Sequence, residues 1–158
     1  MRIIAGYFRG RALASVGKGD QAAHLRPTTD RVRESLFNII GSGRFDDPVT
    51  DARVLDLFAG TGALGLEAMS RGAEHLCCVE MGSKSLSILR KNIEICCVSE
   101  HTQVKKMDAT RLPKCDTEPY SLIFLDPPYR KGLGERALLS ATSQGWRSEE
   151  RRVGKECR

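Results

Sequence analysis

The chain has 158 residues, 41% of them apolar and 28% charged, with a formal net charge of +5. Such a length suits one domain that buries roughly two thirds of its unfolded surface without disulfide staples, and the composition argues against a disordered chain. No apolar run approaches the ~20 residues of a membrane span, and residues 1–6 lack a signal-peptide stretch, so a cytoplasmic protein with no membrane partner is expected.

Residues 2–5 and 10–13 flank the turn-like Gly6-Tyr7-Phe8-Arg9 and predict a two-stranded ribbon, followed by a loop marked by Gly17 and Gly19. A helix then begins near Thr29, whose oxygen can cap it; Val32, Leu36, Ile39 and Ile40 recur at helical spacing until Gly41. From residue 53 the pattern alternates. Strands are predicted at 53–57, 76–80, around 103–107, and at 120–125. Between them lie a helix ending near Gly72 and one capped by Ser83, with Leu86, Leu89, Ile93 and Cys96/Cys97 on its apolar face. A last helix is predicted at 133–143. This alternation predicts an α/β fold with a parallel sheet covered by helices. The chain divides into a basic ribbon and loop at 1–27, a core at 28–146 and a charged tail at 147–158.

Charge is uneven along these parts. Residues 1–33 hold seven Arg or Lys against two Asp, whereas residues 34–146 hold thirteen basic and fifteen acidic groups. A basic N-terminal patch suits a polyanion such as nucleic acid, and it equally suits a solvated surface. The six cysteines form no C-x-x-C pair, and His24, His75 and His101 make no ligand pattern with them. Reduced thiols and no metal site are expected.

In open parallel sheets, ligands sit beyond the carboxyl ends of the strands where strand order reverses. All four predicted strands carry an acid at or near that end: Asp56, Glu80, Asp108 and Asp126. After the first strand, Gly60, Gly62 and Gly65 satisfy G-x-G-x-x-G and open a helix with free N–H groups. With Glu80 eighteen residues beyond Gly62, this pattern alone also fits an NAD site. The discriminator is Asp126-Pro127-Pro128-Tyr129. An acid beside a stiff, proline-bounded carbonyl can take both hydrogens of an amino group, and an aromatic ring can stack on a planar base.

The pair D-L-F-A-G-T-G (56–62) and D-P-P-Y (126–129) resembles S-adenosylmethionine-dependent amino-group methyltransferases of nucleic acids. With R-I-I-A-G at 2–6, R-G-R at 9–11 and R-P-T-T-D-R-V-R-E at 26–34, the chain resembles more specifically the RsmD family, which methylates the guanine N2 amine of bacterial small-subunit ribosomal RNA. The resemblance implies a doubly wound, mainly parallel Rossmann-like methyltransferase sheet with an N-terminal β-ribbon, truncated after the fourth strand and its following helix. It implies cofactor contacts by Asp56, Phe58, Gly60, Thr61, Gly62, Glu80, Asp108 and Ala109. Asp126, Pro127 and Tyr129 would be catalytic. Arg2, Arg9, Arg11, Arg26, Arg31 and Arg33 would meet RNA phosphates, in a monomer acting on ribosomal RNA within a small-subunit assembly particle. Residues 147–158 depart from the family pattern and are expected to be artefactual. Leaving strand four as an edge would weaken the fold and its activity. Open alternatives are a nicotinamide-dependent oxidoreductase and a non-catalytic RNA-binding remnant.

Overall fold

A computed structural model describes residues 1–16, 28–128 and 132–149. Its centre is a four-stranded parallel sheet of order β3-β2-β1-β4, with β1 at Arg53–Asp56, β2 at His75–Val79, β3 at Thr102–Lys105 and β4 at Leu122–Phe124. Helix α1 (Asp30–Ile40) precedes the sheet. Helices α2 (Ala63–Ser70) and α3 (Ser83–Ile95) link β1 to β2 and β2 to β3, and α4 (Leu133–Ser143) follows β4. After β3 the chain crosses back to the far side of β1, so strand order reverses beside β1. In register, Asp56 at the end of β1 lies between Cys78 of β2 and Phe124 of β4.

Both faces of the sheet are covered, which is why β1, β2 and β4 read as short, mostly apolar runs, whereas β3, Thr-Gln-Val-Lys at the sheet edge, does not. Val54, Leu76 and Cys78 point into one core with Leu66, Leu86, Leu89, Phe37 and ribbon residues Ile3 and Leu13. Their neighbours Leu55, Cys77 and Val79 point into another with Tyr120, Ala137, Ala141 and Trp146. The period-two alternation of strand side chains produces this division. The expected doubly wound α/β architecture is therefore present.

The ribbon also forms. Arg2 and Ala12 make an antiparallel bridge, supported by Ile3 N–H to Arg11 O (3.0 Å), Gly10 N–H to Ile3 O (2.8 Å) and Leu13 N–H to Met1 O (2.9 Å). It is bolted to α2: Ser70 O accepts from Tyr7 N–H at 2.8 Å, and Ser70 Oγ accepts from Phe8 N–H at 2.9 Å. Gly6 has φ +85°, and a Cβ there would lie 2.0 Å from Ser70 O, so no other residue fits this close approach.

Several local expectations change. On α1, Val32 and Ile39 are each 56% exposed, while Arg33 and Phe37, one turn apart, face inward. Leu36 and Ile40 do pack against the core, so apolar spacing found only the margin of the buried face, whose centre holds an arginine with a carboxylate partner on α2. Cys97 is exposed at φ +55° just after Cys96 ends α3, so only Cys96 belongs to the apolar face. Two 3-10 turns, Ser99–His101 and Ala109–Arg111, flank β3 and have no sequence counterpart among the predicted elements. Beyond α4, Trp146 is buried, stacks on Tyr120 at 6.0 Å and donates from Nε1 to Pro113 O at 2.7 Å. Pairing continues past it. Tyr120 N–H donates to Trp146 O, Ser148 N–H donates to Tyr120 O, and Arg147 bridges Tyr120 in parallel. No helix among the described residues is long and apolar enough to cross a membrane.

Candidate active site

The carboxyl edge of the sheet gathers the glycine loop after β1, Glu80 after β2, Asp108 after β3 and Asp126 after β4. Asp56 closes β1 at the point where strand order reverses. Its side chain is buried and Oδ1 has no hydrogen-bond partner among the described residues. Burial pushes its carboxyl up to about 7, with Asp126 and Glu80 adding to the rise and the backbone N–H groups of Phe58 and Gly65 opposing it. A buried, unpaired carboxylate oxygen is costly unless a donor or cation completes it. The ammonium of an amino-acid-like ligand has the right charge and donors.

Glu80 organises the loop. Its Oε2 accepts from Gly60 N–H at 2.8 Å, and its Oε1 accepts from Met81 and Gly82 N–H at 3.0 and 2.9 Å. A carboxylate offers about four acceptor positions, so capacity remains for a ribose hydroxyl. The loop is fixed further by Ala59 N–H to Val79 O (3.1 Å) and Gly62 N–H to Ala59 O (2.8 Å). Gly62 sits at φ +87° immediately before α2, where a Cβ would lie 2.5 Å from Leu89 Cδ1. Thr61 is buried, and Phe58 is half-buried against the core beneath α4.

Asp108 caps the 3-10 turn Ala109–Arg111, its Oδ1 accepting from Thr110 Oγ1 at 2.7 Å and Thr110 N–H at 2.8 Å. The Thr110 hydroxyl, and then its N–H, hold the Asp108 carboxyl below the usual range. Ala109 beside it is buried. Asp126 is exposed and Pro127 half-buried after β4. Tyr129 lies outside the described residues.

Among the arginines, Arg2, Arg9, Arg11 and Arg31 are exposed. Arg11 is partly committed, donating to Ile95 O at 3.0 Å and lying over the Phe8 ring at 5.0 Å. Arg33 must be removed from the candidate RNA surface. It is completely buried, 2.9 Å from Asp30 Oδ1 and 3.8 Å from Glu67 Oε2, and it also donates to Arg2 O. Arg26 lies outside the described residues.

Three polar residues that the sequence patterns do not single out hold the ribbon, α1 and this edge in place. Buried Asn92 on α3 accepts from Ala14 N–H at 2.7 Å and donates from Nδ2 to Ala14 O (3.0 Å) and Thr61 O (2.9 Å), tying ribbon to glycine loop. Its signal was a polar residue between Leu89 and Ile93 on the apolar face. Buried Glu67 on α2 accepts from Ile4 and Ala5 N–H at 3.0 and 3.1 Å. Thr28, inside R-P-T-T-D, donates to Asp126 Oδ2 at 2.6 Å.

The family profile described as "Conserved hypothetical protein 95" matches residues 1–157. Over 150 residues the chain is 39% identical to the Escherichia coli (strain K12) protein named ribosomal RNA small subunit methyltransferase D, covering 95% of this chain and 71% of that one. It is 42% identical over 136 residues to YlbH of Bacillus subtilis (strain 168), covering 83% and 68% respectively. The solved structure of Escherichia coli yhhF matches with a TM-score of 0.74 and 38% identity, over 94% of this chain and 75% of that chain.

Proposed function

The chain belongs to the conserved hypothetical protein 95 family, and from that premise we propose that it transfers a methyl group from S-adenosylmethionine to the exocyclic N2 amine of a guanine in small-subunit ribosomal RNA. The observation that carries this reading is the unpaired buried Oδ1 of Asp56 beside the glycine loop, with Asp126 and Pro127 on the adjoining strand end. A relative named as a small-subunit ribosomal RNA methyltransferase, 39% identical over nearly the whole chain, supports the substrate class.

Asp56 would hold the cofactor's ammonium, Gly60, Thr61 and Gly62 its methionine portion, and Glu80 its ribose. Asp108 and Ala109 would meet its adenine, with Phe58 alongside. When bound, the cofactor supplies a methyl group on a positively charged sulfur. Carboxylates near that cation are electrostatically favourable. The guanine amine is a weak nucleophile because its lone pair is delocalised into the ring. Asp126 Oδ and the Pro127 carbonyl would accept its two hydrogens, fixing its direction and favouring rehybridisation. The nitrogen would form its bond to the methyl carbon as that carbon's bond to sulfur breaks, the electron pair staying on sulfur to leave a neutral thioether. It would lose a proton to the Asp126 carboxylate or to water. Tyr129 would stack on the base once it is turned out of its helix. Most of the rate would come from alignment of amine and methyl group. Exposed Arg2, Arg9, Arg11 and Arg31, with Arg26, would meet phosphates.

Titration with S-adenosylmethionine and with NAD, followed by methyl transfer to free small-subunit ribosomal RNA and to assembling subunit particles, tests the reading. Saturable S-adenosylmethionine binding with methylated guanine N2 is expected. NAD binding in its place would support the oxidoreductase. Cofactor-independent RNA binding without transfer would support a non-catalytic role.

A further inference from the structure

We propose that Thr28 is a positioning residue for the Asp126 carboxylate. The inference rests on the reading of Asp126 given above. Thr28 Oγ1 donates to Asp126 Oδ2 at 2.6 Å, across 98 residues of chain. An ionised carboxylate only accepts, so the proton belongs to the threonine and the remaining oxygen is left for the substrate amine.

The hydroxyl is delivered by a rigid element. Thr29, the next residue, caps α1 by accepting from Val32 N–H at 3.2 Å. One turn further on, Arg33 is locked in the core, and Phe37 packs on Phe124 with ring centroids 5.7 Å apart. Phe124 ends β4, two residues before Asp126. Helix α1 is thus seated on the strand that carries the carboxylate, with its N-terminal approach held over that strand's end. Asp126 is exposed and would otherwise sample several staggered rotamers. A hydrogen bond to a charged group is strong enough to select one. Orientation of the acceptor matters most when the amine rehybridises, so the effect belongs in kcat.

The test compares Thr28→Val, which keeps shape and removes the hydroxyl, with Thr28→Ser, which keeps the hydroxyl. Thr28→Val is expected to lower kcat about 10- to 100-fold. Its RNA KM and S-adenosylmethionine affinity should remain unchanged, and Thr28→Ser should recover to within about threefold. In an Asp126→Ala background, Thr28→Val should have no further effect. Crystals of Thr28→Val should show Asp126 in more than one rotamer. Normal kcat in Thr28→Val, an effect confined to KM, failure of serine to rescue, or a single unchanged Asp126 rotamer would each overturn the proposal. Normal turnover by Asp126→Ala would instead overturn the underlying reading of Asp126.

Discussion

Arg33 Nε lies 3.8 Å from Glu67 Oε2, with both side chains completely buried. Glu67 Oε1 also accepts from Arg71 Nε at 3.0 Å, and the two carboxylate oxygens take the N–H groups of Ala5 and Ile4. One carboxylate therefore joins α1, α2 and the ribbon. Removing one member of a buried charged cluster leaves the others unpaired, at about 3–5 kcal/mol. Glu67→Ala should show that loss in a chemical denaturation midpoint, with the ribbon amides of Ile4 and Ala5 losing hydrogen-exchange protection. Undiminished stability would contradict the network's role.

The arginines separate by burial. Arg2→Ala, Arg9→Ala and Arg31→Ala should each weaken RNA binding and reduce the salt dependence of log K, by roughly 0.7–0.9 per lost phosphate contact. Arg11→Ala should do less, because its guanidinium already serves Ile95 O and the Phe8 ring. Arg33→Ala should lower the melting temperature and leave the salt slope of the folded protein unchanged. Binding measured from 50 to 300 mM salt separates these outcomes.

Asp56 predicts a pH dependence of definite sign. Its folded-state carboxyl titrates near 7, against an ordinary value of 3.8 when unfolded. Between these values the folded protein holds the extra proton, so this group's contribution is greatest below about pH 4 and is lost as pH rises through 7. Asp56→Asn should flatten that part of the stability profile and melt higher than the parent at pH 8. The same substitution should weaken S-adenosylmethionine binding. Because a bound ammonium favours the charged carboxylate, cofactor binding near pH 6.5 should release a proton. Calorimetry in two buffers of different ionisation enthalpy reads this directly, and equal enthalpies would rule it out.

Gly62→Ala combines two penalties. A left-handed backbone costs an alanine about 1–2 kcal/mol, and the new Cβ must displace Leu89, whose Cδ1 would be 2.5 Å away. A lower melting temperature and weaker cofactor binding are expected together, since Leu89 packs behind the loop that would hold the ligand. Unchanged affinity in calorimetric titration would separate the loop's conformation from binding.

Local chemistry made much of this legible. Alternating apolar strands and helices implied a parallel sheet, and the glycines and strand-end acids marked its carboxyl edge. These features depend on neighbours within a few residues: a positive φ, a helix beginning, a strand ending. Asp126-Pro127 is legible for the same reason, since two successive prolines stiffen the backbone wherever they occur.

Long-range partners were not legible. Arg33 reads as one more basic side chain until Glu67, 34 residues away, is folded against it; Val32 and Ile39 then stay outside. Asn92 and Ala14 meet across 78 residues, and Thr28 and Asp126 across 98. Likewise, the sequence pattern ends the core at Trp146, yet backbone pairing carries the chain past it to Ser148, because ladder hydrogen bonds require no particular side chain. The 158-residue sequence by itself determined the architecture, the glycine loop and the acids along one edge. Only the tertiary structure decided which charges are buried, which are exposed, and what holds the acids in position. Those outcomes depend on desolvation and on pairing between distant groups, and both arise only when the helices close over the sheet.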